Sequence, residues 1–328
     1  MDKEKIRKGI TISLLLTFVS IFAIFLYNFL KGQKIKFGEV SSFYLLLGFL
    51  IVFVRCVVEC LRFRVLCWAF GHLPSFRTSC DVVLGGWFFT ILPAGGALAI
   101  PYQVYLLQRD GMSIGKAGGA LALRGITILI SLLPVSLVFY SRVAELSKGL
   151  KSVSHVVYVI YGLLILFLFY VMFFTDDAKR RLDNLILKVK SEKAKVALER
   201  LKKEVDLFKM GFKECFTSGK WKFLLVLFLG FVSVLLYAVL APVTFYGLGV
   251  SVNTWDIMFL QMIYMFLSVF YPTPGASGLA EGTAYGLFRQ MCPPGLEPVF
   301  IALWRFFTYY LFVIIGAFFV FKVILKSK

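Results

Sequence analysis

The sequence predicts an all-α, polytopic membrane protein, and two observations support this fold class. Of its 328 residues, 59% are hydrophobic, and 36 are phenylalanine. Apolar runs of about 20 residues recur along the chain, which is enough for a helix to cross about 30 Å of hydrocarbon. A membrane β-barrel would instead show alternating segments of about 10 residues, and the sequence contains no such pattern.

Six apolar runs are long enough to be full spans, and they cover residues 10–30, 43–68, 117–140, 153–175, 221–247 and 297–321. The first run could be mistaken for a signal peptide. Its apolar part is too long for one, and no cleavage site of the small-x-small type follows it. We therefore expect this run to remain in the protein as its first span.

Two further apolar stretches, 79–115 and 255–291, are interrupted near their middles by proline and glycine, at 92–96 and 271–275. Proline removes a backbone donor and glycine permits a sharp turn. Irregular backbone at membrane depth has to be buried in protein or line a polar cavity. Each stretch is therefore predicted to form a re-entrant helical hairpin that enters and leaves on the same side. Two full spans in place of a hairpin would give the same topology.

The two interrupted stretches also suggest an internal repeat within one integral membrane domain, with half 1 at about 43–140 and half 2 at about 221–325. The same offset that relates Pro93 to Pro274 relates Arg124 to Arg305. The first hairpin would enter from the cytoplasm and the second from outside, which makes the halves inverted repeats. Transporters of this kind often bind substrate near the midplane, at discontinuous helices.

The net charge of +18 is concentrated beside the spans. Membrane topology and anionic lipid explain it better than nucleic acid does. Counting positive charges places both termini and the basic segment 176–220 in the cytoplasm. Apolar residues recur in this segment at spacings of three and four, which predicts an amphipathic helix. The helix could lie on an anionic leaflet or pack on the bundle as a linker.

Charged residues within apolar stretches are the candidates for chemistry. A carboxylate such as Glu281 costs about 2.5–3.5 kcal/mol at membrane depth, so we expect it to have a partner. It would contact a cationic headgroup, take part in a proton-coupled step, or lock its hairpin by pairing with Arg305. The guanidinium groups of Arg124 and Arg305 suit bidentate binding of a lipid phosphate. Snorkelling to the membrane interface is the alternative for both.

Glycines and polar residues near the breaks complete the candidate substrate-binding set. Glycines at the breaks could expose N–H groups at half-helix N-termini, which attract anions, or could serve tight turns and close packing. Gln103 could offer a hydrogen bond, and Tyr285 could serve either packing or a headgroup. The full set is Arg124, Arg305, Glu281, Gly95, Gly96, Pro274, Gly275, Gly278, Gln103 and Tyr285.

A polar stripe within the second apolar run is formed by Arg55, Glu59 and Arg62, which lie on one helix face. These residues would form either a self-satisfied triad or the lining of a headgroup path. The six cysteines show no CxxC motif and are interpreted as small apolar fillers. No catalytic, nucleotide-binding or metal-binding motif stands in a credible context, so we expect no cofactor, no metal and no enzymatic activity.

The segment YPTPGASGLAEGTAYGLF resembles the Pro-x-Pro-Gly-Gly-x-Gly-x-x-Glu signature of the lysylphosphatidylglycerol synthase transmembrane-region family, also described as flippase-like. The segments ILPAGGALAIPYQVYLLQRDGMSIGKAGGALALR and ALWRFFTYYLF resemble that family's first-half motif and final-span arginine motif. The resemblance marks Pro93, Gly95, Gly96, Arg124, Pro272, Pro274, Gly275, Gly278, Glu281 and Arg305.

This resemblance implies lipid translocation across the cytoplasmic membrane. The lipid would be an anionic or aminoacylated phospholipid similar to lysyl-phosphatidylglycerol, or a polyprenyl-linked precursor. One departure is that Ala276 and Ser277 replace the usual glycine and its neighbour, which could change the headgroup fit. The chain carries no aminoacyltransferase segment, so lysine transfer would need a separate synthase as partner. A lipid-binding membrane subunit of such an enzyme, without transport, is the alternative, and a small-solute transporter is a third.

Overall fold

The computed structural model describes residues 40–91, 95–146, 192–268, 271 and 273–326, together with positions 26, 159, 162–163 and 166. Regular structure in these residues is helical throughout, which confirms the predicted all-α class. The helices in the first half are α1 (Ser42–Ala69), α2 (Phe76–Phe88), α3 (Gly95–Arg109) and α4 (Ile114–Leu146). Those that follow are α5 (Glu192–Phe216), α6 (Lys220–Gly247), α7 (Thr254–Ser268), α8 (Leu279–Phe288), α9 (Glu297–Arg305) and α10 (Leu311–Lys326).

Three short elements modify this helical pattern. A 3₁₀ turn at Phe89–Ile91 follows α2, and a second at Pro274–Ala276 precedes α8. A π-helix at Phe306–Tyr310 joins α9 to α10, so these elements continue as one rod with an irregular middle. Each predicted interruption is thus associated with a tight turn between two short helices.

Four helical segments of the described chain are long and apolar enough to cross a membrane, and they are Ser42–Ala69, Ile114–Leu132, Lys220–Gly247 and Glu297–Leu325. They correspond to four of the six predicted spans. The predicted spans at 10–30 and 153–175 fall outside the described residues apart from the single positions named above, as do Pro93, Pro272 and residues 176–191.

The described residues divide between two compact units, and several helices contribute to both. Unit 1 is drawn from Met1–Leu61, Ser79–Gln103 and Phe231–Lys328. Unit 2 is drawn from Arg62–Thr78 and Val104–Gly230.

Within unit 1, α2 and α3 pack side by side as a helical hairpin. The Gln103 side chain donates a hydrogen bond from Nε2 to the Val82 carbonyl at 3.1 Å, and the Tyr102 hydroxyl donates to the Asp81 carbonyl. A Cβ atom added at Gly86 would meet the Gln103 amide nitrogen, and that side chain would have to shift. Small residues of this kind let membrane helices approach closely.

The second hairpin, α7 and α8, also lies within unit 1. Its helices are in contact, and the Tyr271 hydroxyl donates to Thr283 Oγ1 at 2.7 Å across the break. The end of α8 packs on the end of α6 through Phe288 and Phe245, whose ring centroids are 6.2 Å apart. Both interrupted stretches therefore fold back on themselves, while their re-entrant placement in a bilayer stays a prediction.

Unit 2 contains the amphipathic helix α5, which packs on the N-terminal end of α4. The Lys116 ammonium pairs with Glu214 at 2.8 Å, and the ring of Phe212 on α5 meets Phe70 at 5.4 Å. Burial also raises the pKa of the Cys215 thiol on α5 to about 12. These contacts favour the packed arrangement of this segment over one that lies free on a leaflet.

Candidate functional site

The turn that precedes α8 has a left-handed backbone at three positions. Gly275, Ala276 and Gly278 have φ values of 61°, 57° and 85°. Glycine adopts this region at little cost, whereas an alanine methyl group crowds the neighbouring carbonyl there. Ala276 is the one non-glycine residue with positive φ among the described positions, so the substitution noted in the sequence falls on a strained site.

A buried ion pair fixes this turn to α9. The Arg305 Nε atom donates to Glu281 Oε1 at 2.9 Å, and its NH2 group donates to the Gly275 carbonyl at 2.9 Å. The other carboxylate oxygen of Glu281 accepts the Gly278 N–H at 2.7 Å. Both side chains are almost fully buried, at 0% exposure for Glu281 and 2% for Arg305. A charge at such a position is retained only when it is paired and hydrogen-bonded.

Aromatic rings enclose the guanidinium of Arg305. It lies 4.4 Å from the centroid of Tyr309, and its NH1 group contacts the Tyr264 hydroxyl at 3.5 Å. The Trp304 indole, which packs on the Tyr264 ring, donates to Gln261 Oε1 at 2.8 Å. Low local polarity strengthens the ion pair, and the ring faces add a cation–π attraction.

Local sequence explains how this geometry arises. Glu281 lies in the first turn of α8, where its carboxylate can cap the helix and complement the helix dipole. Arg305 ends α9 directly before the π-helix. The sequence-based alternative of an ion pair that locks the hairpin is the arrangement observed. The Gly278 N–H, which the sequence suggested for anion binding, donates to Glu281 within the turn.

The two turns approach each other within unit 1. Residues of Phe89–Ile91 and Pro274–Ala276 lie within 8 Å of one another between Cα atoms. The final helix α10 also contacts the first turn. The turn directly before the first interruption therefore lies beside the second interruption, while the meeting of the two interruptions and the inverted relationship of the halves stay predictions.

The structure brings together four of the residues singled out in the sequence, Gly275, Gly278, Glu281 and Arg305. Pro274 begins the same turn. Gly95 and Gly96 open α3, Gln103 binds the hairpin backbone, and Tyr285 is partly buried on α8.

Arg124 belongs to unit 2, where it is partly exposed on α4. Its guanidinium lies 5.5 Å from the centre of the Phe63 ring.

The residues of the predicted polar stripe on α1 contact side chains on other helices. The Glu59 carboxylate accepts from Ser233 Oγ at 2.6 Å, Arg62 donates to Thr127, and Arg55 lies over the Tyr237 ring at 4.6 Å.

Sequence reasoning missed Tyr264, Gln261 and Tyr309. A signal existed for two of them, because Gln261 and Tyr264 lie three residues apart in an otherwise apolar helix and so share a face. Tyr309 had no such signal, since the π-helix changes which residues of the final span point toward Arg305.

Replacing Ala276 with glycine is expected to stabilise the protein by about 1 kcal/mol, because glycine removes the steric cost of the left-handed conformation. Unfolding of purified protein in detergent, followed by intrinsic fluorescence, measures this change. Ala280→Gly is the matched control in the adjoining helix, where the same replacement should destabilise. A loss of stability in Ala276→Gly would contradict the assignment of strain to this turn.

The described fold and this site define a class of protein, an all-helical membrane protein with a broken helix held by a buried arginine–glutamate pair. More particularly, the chain belongs to the family described as the lysylphosphatidylglycerol synthase TM region, whose model matches residues 9–316. It is similar to a "UPF0104 membrane protein" from Archaeoglobus fulgidus, with 24% identity over 301 residues that cover 87% of this chain and 88% of that protein. No solved structure matches the chain significantly. This membership establishes an integral, multi-pass membrane protein with a role related to membrane lipids.

Proposed function

We propose that the protein moves a phosphate-bearing lipid between the leaflets of the cytoplasmic membrane and makes no chemical change to it. The observation that carries this proposal is the contact of the two 3₁₀ turns in unit 1, Phe89–Ile91 and Pro274–Ala276, with the Arg305–Glu281 pair buried beside the second turn. Polar backbone and charge at such a place are costly in a membrane protein. A polar route for a headgroup, with the acyl tails left in lipid, accounts for both the polar backbone and the buried charges.

Contacts at the end of each hairpin fix that hairpin within its own unit. In unit 2, Thr78 Oγ1 donates to Asp110 Oδ1 at 2.7 Å, so the outer ends of α2 and α3 meet. In unit 1, Phe288 at the end of α8 packs on Phe245 near the end of α6. In this proposal the two hairpins enter from opposite membrane faces, as in transporters built from inverted repeats.

We assign the two arginines different roles in this proposal. Arg305 is a positioning residue, because Nε and NH2 bind Glu281 and Gly275 and NH1 contacts Tyr264. Arg124 is partly exposed on a span and contacts the Phe63 ring, so it is the better candidate for contact with a lipid phosphate. Glu281 holds Arg305 and does not itself meet the headgroup.

Flipping of fluorescent phosphatidylglycerol in proteoliposomes tests the function. We expect an external quencher to reach the label that began in the inner leaflet when the protein is present. Arg124→Ala should slow the flipping rate by roughly 10-fold to 100-fold, which corresponds to the free energy of one charge-assisted hydrogen bond. Lys220→Ala, which removes an exposed lysine in the same unit, is the matched control and should leave the rate unchanged.

Two results would contradict the proposal. Equal flipping rates in wild type and Arg124→Ala would show that Arg124 does not bind the lipid phosphate. Saturable binding of the lipid without any flipping would instead indicate a subunit that presents lipid to a separate synthase. Parallel assays with lysyl-phosphatidylglycerol and a polyprenyl phosphate identify which headgroup is moved.

A further inference from the structure

Arg55 lies in the middle of a helix that is long and apolar enough to cross the membrane. The helix α1 has 28 residues, and Arg55 lies half-way along it, about 20 Å from either end. Its guanidinium is 4.6 Å from the centre of the Tyr237 ring on α6 and 4.9 Å from that of the Phe312 ring on α10. All three residues belong to unit 1. A positive charge at the centre of a span is costly, so it calls for a functional explanation.

The side of α1 that carries Arg55 faces the protein. Leu46 and Phe53 lie on the opposite side of the helix and are 70% and 65% exposed, as expected of residues that face lipid. Val52 and Glu59 lie on the same side as Arg55, one turn before and after it, and are 1% and 2% exposed. Arg55 itself is partly exposed. An inward side chain that is partly exposed between buried neighbours indicates a local opening inside unit 1 that reaches the guanidinium.

The charge on this side of α1 favours an anion as the occupant of the opening. The aromatic ring faces attract the guanidinium but carry no net negative charge. Arg55, Glu59 and Arg62 carry two positive charges and one negative charge, so a net charge of +1 remains however the three pair. A phosphodiester carries a single negative charge, and its oxygens fit the planar fork of a guanidinium. A lipid phosphate therefore matches both the charge and the geometry of this place.

We propose that Arg55 binds the phosphodiester of the lipid half-way across the membrane, an inference that rests on the proposed function. Phe312 connects this site to the first hairpin, because its ring centroid lies 4.6 Å from that of Trp87. Trp87 is near the end of α2, just before the turn Phe89–Ile91. That turn contacts the second turn, Pro274–Ala276. The phosphate is thus held close to the place where the two turns meet, between its entry and its exit.

Native mass spectrometry of the full-length protein in detergent, with phosphatidylglycerol and diacylglycerol as probes, tests the site. We expect Arg55→Gln to weaken phosphatidylglycerol binding by roughly 10-fold to 100-fold and to leave binding of diacylglycerol, which lacks a phosphate, unchanged. Arg55→Lys keeps the charge without the fork, so it should show a smaller loss of the same selectivity and serves where Arg55→Gln does not fold. The matched control is Arg64→Gln, on the opposite side of α1, where Arg64 donates to the Pro74 carbonyl at 2.9 Å. It should leave the binding of both lipids unchanged.

Equal binding of phosphatidylglycerol by wild type and Arg55→Gln would overturn the proposal. An equal loss of diacylglycerol binding would overturn it as well, because it would indicate that Arg55 only packs the helices. Flipping rates of the same variants separate this inference from the transport proposal. If wild type binds phosphatidylglycerol through Arg55 but moves no lipid, transport is contradicted and the site is supported. If wild type and Arg55→Gln flip the lipid equally fast, the site is contradicted and transport is supported.

Discussion

Replacing Arg305 with alanine is expected to lower the free energy of unfolding by about 3–5 kcal/mol, the cost of leaving a buried carboxylate without its partner. Glu281 is fully buried and would keep its bond to the Gly278 N–H but lose the guanidinium. The Gly275 carbonyl would lose its donor as well. Chemical unfolding in detergent micelles, with tryptophan fluorescence as the readout, measures the loss.

Two variants sharpen this experiment. Arg305→Lys keeps the charge but cannot donate in the fixed fork that reaches both Glu281 and Gly275, so we expect an intermediate loss. Glu281→Ala combined with Arg305→Ala should cost clearly less than the sum of the single losses, because neither charge is then left alone. Additive losses, or a loss below about 1 kcal/mol in Arg305→Ala, would show that the pair does not hold the turn.

The position of the charges in the sequence was sufficient to offer the pair as one alternative but not to select it. A carboxylate and an arginine within apolar stretches must find partners, and few partners exist at that depth. The sequence could not decide between a phosphate and Glu281 as the partner of Arg305, because that choice depends on distances across three elements. The π-helix at Phe306–Tyr310 is equally absent from sequence patterns, since one additional residue per turn leaves the apolar run unchanged.

The same reasoning explains the outcome for the polar stripe on α1. The spacing of Arg55, Glu59 and Arg62 correctly indicated that they share one helix face. A triad of ion pairs among them was the simplest way to give each charge a partner. The structure shows partners on other helices, Ser233 on α6 for Glu59 and Thr127 on α4 for Arg62, while the triad itself stays a prediction. Periodicity predicts which residues share a face, while the identity of the facing helix is a property of the tertiary fold.

Hairpins were predictable because proline and glycine interrupt apolar runs, and Pro274 and Gly275 do mark the second turn. The packing of the first hairpin on the final helix was not predictable in the same way. Gly316 lies in an apolar run, and nothing in the sequence places it against the backbone of Leu84 and Phe88. Contacts of this kind depend on how α2 packs against α10, which short-range patterns do not encode.

Replacing Gly316 with alanine is expected to destabilise the protein by about 1–3 kcal/mol, the usual cost of overpacking. A Cβ atom on Gly316 would lie 2.6 Å from the Leu84 carbonyl oxygen and 2.7 Å from the Phe88 nitrogen. Both are backbone atoms of α2, so no side chain can rotate away, and the helices have to separate. The measurement is again unfolding in detergent.

The matched control is Gly286→Ala on α8, where an added Cβ meets no atom within 4 Å. Since alanine is the better helix former by about 1 kcal/mol, this variant should be neutral or more stable. If Gly316→Ala also lowers the flipping rate while Gly286→Ala does not, the contact of α10 with the first hairpin is needed for transport. Equal stability of the two variants would mean that α2 and α10 do not pack as closely as the backbone positions require.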